Sequence, residues 1–162
     1  MTVVVTRALT DEWRDVKAVR VLALTLDPSA FGSTVEREQG FDDDVWRTRI
    51  SAGRTFLARS AGRVVGIVAY TADDARRPTE RQLQSMWVAP EARGAGVGAL
   101  LVQAVRDSAA AEGAIALTLF VTEGNGAARR LYELLGFRPT GERRPLASDP
   151  GVGTVQYAVT LA

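Results

Sequence analysis

Residues Trp87 to Val105 read WVAPEARGAGVGALLVQAV and indicate the fold more clearly than any other stretch of the chain. Arg93 and three alternating glycines between Gly94 and Gly98 precede an apolar helical pattern, and a short hydrophobic strand lies just upstream. Such a turn presents backbone N–H groups at the positive end of a helix dipole, and an arginine beside them can hold a second phosphate oxygen. The stretch therefore predicts a pyrophosphate-binding turn.

The composition is typical of a single globular domain. The chain has 162 residues, of which 46% are hydrophobic and 24% charged, so it is long enough to bury a core. We therefore expect one domain over residues 1–162. Twenty basic and nineteen acidic side chains leave a formal net charge of +1, which provides no field that would attract nucleic acid or an anionic membrane. We expect neither as a partner.

Two residue types are missing, and their absence excludes several kinds of chemistry. Without cysteine there is no disulfide, no thiolate metal site and no thiol nucleophile. Without histidine there is no Ser-His triad, and most zinc sites are excluded. We expect no metal.

The first residues contain neither a signal peptide nor an apolar run long enough to span a membrane, so we expect a cytoplasmic protein.

The remaining periodicities predict an α+β protein with a mixed sheet. Ala61-Gly62 separates two β-rich runs and predicts an antiparallel hairpin. A charged turn is expected over residues 73–79. Strands are predicted over 3–6, 55–60, 63–70, 81–88 and 114–121, with two more containing Phe137 and residues 155–161, and helices over 10–26, 44–52, 97–112 and 125–135.

The glycine turn has two other interpretations. GAGVGA, from Gly94 to Ala99, also fits the dinucleotide-binding fingerprint G-x-G-x-x-G/A. A Rossmann fold requires the glycines to follow a strand directly within a parallel array. Here residues 90–93 separate the strand from the glycines, and the strands before it are predicted to form an antiparallel hairpin. A purely structural helix cap would explain one glycine but not three and an arginine. The Rossmann interpretation remains the second choice.

A second motif, VTEGNGAARRLYELLGF from Val121 to Phe137, places three side chains on one helix face. Asn125, Ala128 and Tyr132 stand at i, i+3 and i+7, within about 60° of one another around the helix. Taken singly, Asn125 could be a helix cap, Ala128 a close-packing residue and Tyr132 a buried aromatic. Together, and one strand after the glycine turn, they suggest a helix that lies alongside a cofactor.

The two motifs resemble those of the GCN5-related N-acetyltransferase (GNAT) superfamily. Arg93, Gly96 and Gly98 match its Q/R-x-x-G-x-G/A signature, and the later helix matches its N-x-x-A-x-x-x-Y-x-x-x-G-F pattern. The resemblance implies a twisted, mostly antiparallel sheet of about seven strands flanked by about four helices and splayed between strands 4 and 5. It also implies an acetyl-CoA-dependent acyltransferase that acetylates a primary amine. Similar enzymes are commonly dimeric, which makes a homodimer a candidate assembly.

The same resemblance implies roles for individual residues. The strand segment Met86, Trp87 and Val88 would carry a bulge and pair with the pantetheine amides, with the Val88 N–H directed at the thioester carbonyl. Asn125 would contact the pantetheine arm, and Arg129 would reach a phosphate unless it is solvated. Tyr132 would protonate the departing thiolate, since a phenol with a pKa of about 10 is close to a thiol in acidity. The pyrophosphate would lie against Gly94, Ala95, Gly96, Val97, Gly98 and Ala99, beside Arg93.

The general base and the acceptor are less clear in the sequence. The positions where similar enzymes carry a glutamate correspond here to Gln82 and Phe120, neither of which accepts a proton. Glu123, Glu36, Glu38 and a water chain are the candidates, and we favour the water chain. Residues 28–38 combine an aromatic, a glycine, hydroxyls and acids that could receive a cationic amine, and the segment could equally be a surface loop. Without Cys or His, direct transfer in a ternary complex is favoured, and a non-catalytic acyl-CoA-binding domain is the alternative.

Overall fold

A computed structural model describes residues 1–72 and 77–161. Part of the charged turn predicted over residues 73–79 lies outside them. The strands are β1 (Val4–Arg7), β2 (Thr55–Ser60), β3 (Arg63–Thr71), β4 (Glu80–Val88), β5 (Ala116–Thr122), β6 (Arg138–Leu146) and β7 (Asp149–Thr160). The α-helices are α1 (Trp13–Leu26), α2 (Val35–Gln39), α3 (Asp43–Ser51), α4 (Val97–Ala111) and α5 (Gly126–Leu134), and single turns of 3-10 helix lie at Thr10–Glu12, Pro28–Ala30 and Pro90–Ala92.

The strands form one seven-stranded sheet in the order β1-β2-β3-β4-β5-β7-β6. Neighbouring strands are antiparallel except for β4 and β5, which are parallel. The predicted mixed α+β sheet is confirmed. A Rossmann domain needs a parallel array at the glycine turn, so the second interpretation is wrong.

The described residues contain five α-helices where about four were predicted. The additional helix is α2, in a polar segment with weak periodicity. The Thr34 hydroxyl accepts a hydrogen bond from the Arg37 backbone N–H at 3.3 Å and so caps its N-terminus. The helix is one and a half turns long, too short for a hydrophobic repeat to reveal it in the sequence.

The centre of the sheet opens between β4 and β5. The two strands pair only over residues 80–82 and 116–118, and beyond these pairs they diverge. A β-bulge lies in β4, where the register against β3 shifts between Ile67 and Ala69 and Ser85 has a φ of 59°. The splay between strands 4 and 5 is therefore confirmed, and the bulge lies at the beginning of the segment expected to bind the cofactor.

The interior of β3 is covered on both faces. A Cβ atom at Gly66 would lie 3.0 Å from a Leu101 methyl group, so glycine lets α4 approach this face closely. Tyr70, on the same face, hydrogen-bonds the Ser108 hydroxyl of α4 at 2.6 Å. Because side chains alternate along a strand, Ile67 faces the opposite side, where α1 packs. The continuous hydrophobic run VVGIVAY is explained by this double burial.

No helix in the described part of the chain is long and apolar enough to cross a membrane.

Candidate active site

A cavity of about 520 Å³ lies where β4 and β5 part, between the beginnings of α4 and α5. We call it the cofactor cleft. The structure brings both sequence motifs to it, because the glycine turn precedes α4 and the Asn125 motif begins α5. The predicted site residues that line it are Met86, Trp87, Val88, Arg93, Gly94, Gly96, Val97, Gly98, Ala99, Asn125 and Tyr132. Ala95 belongs to the turn but is not part of the lining.

The glycines of the turn are required for two different reasons. Gly94 and Gly96 have φ of 79° and 80°, a left-handed conformation that side chains disfavour, although a Cβ would meet nothing within 4 Å. At Gly98 the space is limiting, because a Cβ would lie 3.0 Å from Leu131 Cδ2. Leu100 N–H bonds to Gly96 O at 3.1 Å, and the N–H groups before it have no partner within their own helix. The turn therefore presents free donors to the cleft.

The carboxylate of Asp27, at the end of α1, holds the arginine of the turn. Its Oδ2 accepts hydrogen bonds from Arg93 Nη2 and Trp87 Nε1, each at 2.8 Å. Desolvation alone would raise the pKa of Asp27, but these bonds and the Arg93 charge lower it. In the sequence, Asp27 and Pro28 mark only the end of the helix predicted over residues 10–26. The partners of Asp27 lie sixty or more residues away in the chain, and no local pattern could have indicated them.

The last residues of β4 turn their backbone toward the cleft. Ala89 N–H donates to Val65 O at 2.8 Å, and Gly66 faces Val88 in the register of β3 and β4. Hydrogen-bonded and non-hydrogen-bonded pairs alternate in an antiparallel ladder, so the N–H and C=O of Val88 point away from β3. The C=O accepts from Arg93 Nε at 2.9 Å. The N–H lies on the same side, toward the gap between β4 and β5.

One face of α5 lines the cleft, as the i, i+3, i+7 spacing predicted. Asn125, Ala128 and Tyr132 all contribute to the lining. The Asn125 side-chain oxygen also accepts from the Ala128 backbone N–H at 3.2 Å, so this residue is a helix cap as well. Arg129, on another face of α5, donates to Tyr157 Oη and Glu123 O. It is therefore tied to the neighbouring strands rather than free in solvent.

Tyr132 is a buried phenol whose hydroxyl is available to a ligand. The residue is 5% exposed, and its ring packs edge-on against Phe137 with 5.6 Å between ring centres. Burial raises its pKa above the ordinary value for tyrosine, so the group stays protonated at neutral pH. No protein group in the described residues hydrogen-bonds its oxygen. A protonated phenol in a cleft suits a proton donor.

A second cavity, of about 1330 Å³, adjoins the first on the side of α1, α2 and α3. We call it the acceptor cleft. Phe31, Ser85 and Phe120 line both cavities, so the two meet at the bulge of β4. The large volume and the open connection leave room for a second substrate beside the cofactor cleft.

The structure rules out most of the candidate bases. Gln82 and Phe120 line the acceptor cleft, but neither accepts a proton. Glu38 is 0% exposed and bound to Arg20 and Arg49. Burial would raise its pKa, but the hydrogen bonds it accepts outweigh that and lower the pKa to about 2. The expectation that Glu38 could be a base is therefore wrong.

The other two acids are also poorly placed for proton transfer. Glu123 forms an ion pair with Arg143, and it lines neither cavity in the described part of the protein. Glu36 is exposed on α2 and belongs to neither lining. A chain of water molecules remains the favoured route for the proton.

Comparison with known proteins agrees with this geometry. The model of the Acetyltransferase (GNAT) family matches residues 18–137. The chain is similar in structure to yncA from Salmonella typhimurium, solved with its cofactor acetyl-CoA (TM-score 0.82, 17% identity, 100% of this chain and 95% of that one). It is also similar to a GNAT-family acetyltransferase from Streptococcus pneumoniae (TM-score 0.82, 22% identity, 99% and 100% covered). A GCN5-related N-acetyltransferase from Kribbella flavida has a TM-score of 0.77 at 24% identity, with 98% of each chain covered. A search of curated proteins gave no match.

Proposed function

The chain belongs to the GNAT family of acetyltransferases, and on that premise we propose that it transfers the acetyl group of acetyl-CoA to a primary amine in a ternary complex. The observation that carries the proposal is the cofactor cleft, in which the glycine turn, the parted edge of β4 and the Tyr132 phenol surround one cavity. The similar Salmonella protein was solved with acetyl-CoA in place, which supports the choice of donor.

The residues of the cofactor cleft fit a long ligand with a diphosphate at one end. The free N–H groups of residues 94–99 suit the diphosphate, because they lie at the positive end of the α4 dipole. Arg93 stands beside them with a charged, half-exposed side chain. The backbone edge of β4 and the amide of Asn125 offer donors and acceptors to the amides of a pantetheine arm.

Amide formation needs two things from the protein at the reacting carbon. As the amine attacks, negative charge grows on the thioester oxygen, and the Val88 N–H is a preset donor to that oxygen. As the carbon–sulfur bond breaks, the sulfur takes a proton from the Tyr132 hydroxyl, and the tyrosinate regains a proton from water. The acceptor loses its own proton to water. No covalent intermediate with the protein is required, in keeping with a chain that lacks Cys and His.

Replacing Tyr132 tests the proposal directly. Tyr132→Phe keeps the ring and its packing but removes the proton donor, so we expect kcat to fall by about 100-fold or more, with the Kd for acetyl-CoA unchanged. The assay follows CoA release with an accepted amine, and calorimetry gives the Kd. Tyr157→Phe is the matched control, because this buried tyrosine bonds Glu133 and Arg129 outside the cleft. An unchanged kcat in Tyr132→Phe would remove the residue from catalysis.

A second candidate is a non-catalytic acyl-CoA-binding domain. The observation in its favour is that Gln82 and Phe120 stand where similar enzymes carry an acid. Both candidates predict binding, and acetyl-CoA at about 100 times its Kd should add about 2.7 kcal/mol to the free energy of unfolding. They differ in turnover. CoA release with any amine supports the enzyme, whereas binding without turnover across a broad amine panel supports the second candidate.

A further inference from the structure

The charge of the acceptor cleft is dominated by arginine. Its lining contains five arginines and two acids, which are Arg20, Arg37, Arg49, Arg54 and Arg144 against Glu38 and Asp44. The Glu38 carboxylate is already occupied by three guanidinium N–H bonds of 2.8 to 3.0 Å. Asp44 has a 90% exposed side chain and pairs with Arg47. Asp44 is therefore the one carboxylate of the described lining that an ammonium group could reach, and against five lining arginines it does not favour the cationic acceptor considered for residues 28–38.

Two of these arginines have no carboxylate partner within the described residues. Arg37 donates to the Ser33 hydroxyl at 3.1 Å and lies over the Phe41 ring. Arg144, on β6, stacks over the Phe120 ring with its guanidinium carbon 3.6 Å from the ring centre. A guanidinium stacked on an aromatic face keeps its in-plane N–H donors free for a planar anion.

Arg144 is the better placed of the two. Phe120 lines both cavities, so the guanidinium stacked on it stands beside the junction where the acyl group and the acceptor would meet. The Arg144 carbonyl accepts from the Thr154 hydroxyl at 2.7 Å, which fixes the backbone that carries it. A carboxylate bound there would hold a neighbouring amine near the cofactor cleft, since guanidinium–carboxylate pairs are directional and often bidentate.

A strap of residues 28–33 borders the junction, with Phe31 in the lining of both cavities. Phe31 O accepts from the Ser148 hydroxyl at 2.7 Å, and Ser29 O accepts from the Thr122 hydroxyl at 3.0 Å. The space beside Gly32 is filled by Ala147, whose Cβ would lie 3.5 Å from a Cβ at that position. The strap is therefore anchored to both β5 and the β6–β7 turn beside the junction.

We infer that the acceptor in the proposed reaction is an amine that carries a carboxylate, and that Arg144 binds this carboxylate. The inference rests on the proposed function. It also accounts for the missing base, because cationic surroundings disfavour an ammonium group and so lower the pKa of the acceptor. The neutral amine needed for attack would then form by loss of a proton to water, without an acid at position 82 or 120.

The test compares each carboxylate acceptor with its own carboxamide, and both with two polyamines. CoA release is measured for the standard L-amino acids, for their carboxamides and for putrescine and spermidine. We expect the preferred carboxylate to exceed its carboxamide in kcat/KM by at least about tenfold, the effect of losing a hydrogen-bonded charge. Arg144→Gln should raise the KM for this acceptor by a similar factor and abolish the preference, with the KM for acetyl-CoA unchanged. Arg143→Gln, next to it and paired with Glu123, is the matched control.

Equal or better use of carboxamides or polyamines overturns the inference, and so does an Arg144→Gln variant that keeps the preference. Calorimetric titration of the same compounds into the CoA-saturated protein separates this failure from failure of the proposed function. If no amine is acetylated but carboxylates still bind at least about tenfold more tightly than carboxamides, the proposed function fails and the ligand class stands. If neither class binds, the inference falls.

Discussion

Glu38→Gln is the substitution for which the structure gives the clearest energetic expectation. The Glu38 carboxylate is completely buried on α2 and bonds Arg20 through two N–H groups at 3.0 Å and Arg49 through one at 2.8 Å. Glutamine keeps the shape but removes the negative charge. The guanidinium groups of Arg20 and Arg49 would then lie near each other without a negative charge between them.

The size of the expected loss of stability follows from the pKa of Glu38. Hydrogen bonds from Arg20, Ser33 and Arg49 outweigh the opposing effect of burial and lower the Glu38 pKa from 4.5 to about 2. Such a lowering corresponds to about 3 kcal/mol of stability at neutral pH. Removing one partner of a buried ion pair costs about 3 to 5 kcal/mol, so the two estimates agree. For a chain of this size, a loss of about 3 kcal/mol lowers Tm by about 6 to 12 °C.

The assay is thermal unfolding of both proteins as a function of pH. Because the folded pKa lies below the unfolded value, the contribution is fully present above about pH 4.5 and is lost as the pH falls toward 2. We therefore expect the gap in Tm between wild type and Glu38→Gln to be constant near neutrality and to shrink in acid. Glu36→Gln, exposed on the same helix, should change stability by less than about 0.5 kcal/mol. A Glu38→Gln variant with wild-type Tm at pH 7, or a gap that does not change with pH, would refute the reasoning.

Two further substitutions test the packing around the clefts. Gly98→Ala places a methyl group 3.0 Å from Leu131 Cδ2 and 3.2 Å from Met86 Cε, so these two side-chain ends must shift within the lining of the cofactor cleft, and we expect the Kd for acetyl-CoA, measured by calorimetry, to rise. Gly124→Ala, whose Cβ meets nothing within 4 Å, should leave the Kd unchanged, and an equal effect of both would contradict the argument. Tyr70→Phe removes the hydroxyl that joins Ser108 and Glu112. Ser108 keeps its bond from Arg7, and Glu112 keeps those from Arg54 and Arg81, so we expect a loss of only about 0.5 to 1.5 kcal/mol in chemical denaturation.

The sequence predicted the features that depend on residues close to one another in the chain. Gly94 and Gly96 adopt left-handed conformations that glycine tolerates best, and the turn was recognised from them. The cleft-lining face of α5 follows from helical spacing alone, so Asn125 and Tyr132 were placed correctly on it. The two β-rich runs around Ala61-Gly62 alternate and branch as strands do, and they form β2 and β3.

The parts that it missed depend on contacts between distant residues. Two ion pairs form only after α1, α2 and β4 come together: Arg20 with Glu38, and Asp27 with Arg93. The beginning of β7 at Asp149 was also missed, because the Gly- and Pro-containing residues 149–154 show no hydrophobic alternation. They are extended because β6 pairs with them at the edge of the sheet.

The gap between β4 and β5 creates two strand edges in the middle of the molecule. Sheet edges usually lie outside, where charges or bulges prevent another strand from joining. Here they face a cavity, and a molecule with amide groups can hydrogen-bond to the unpaired N–H and C=O groups of these edges, as another strand would. Recognition of that kind depends on main-chain atoms, so it requires an extended backbone at the end of β4 and no particular side chain on the residue whose N–H faces the gap. Proline at position 88 would be the exception, because it would remove the N–H that faces the gap.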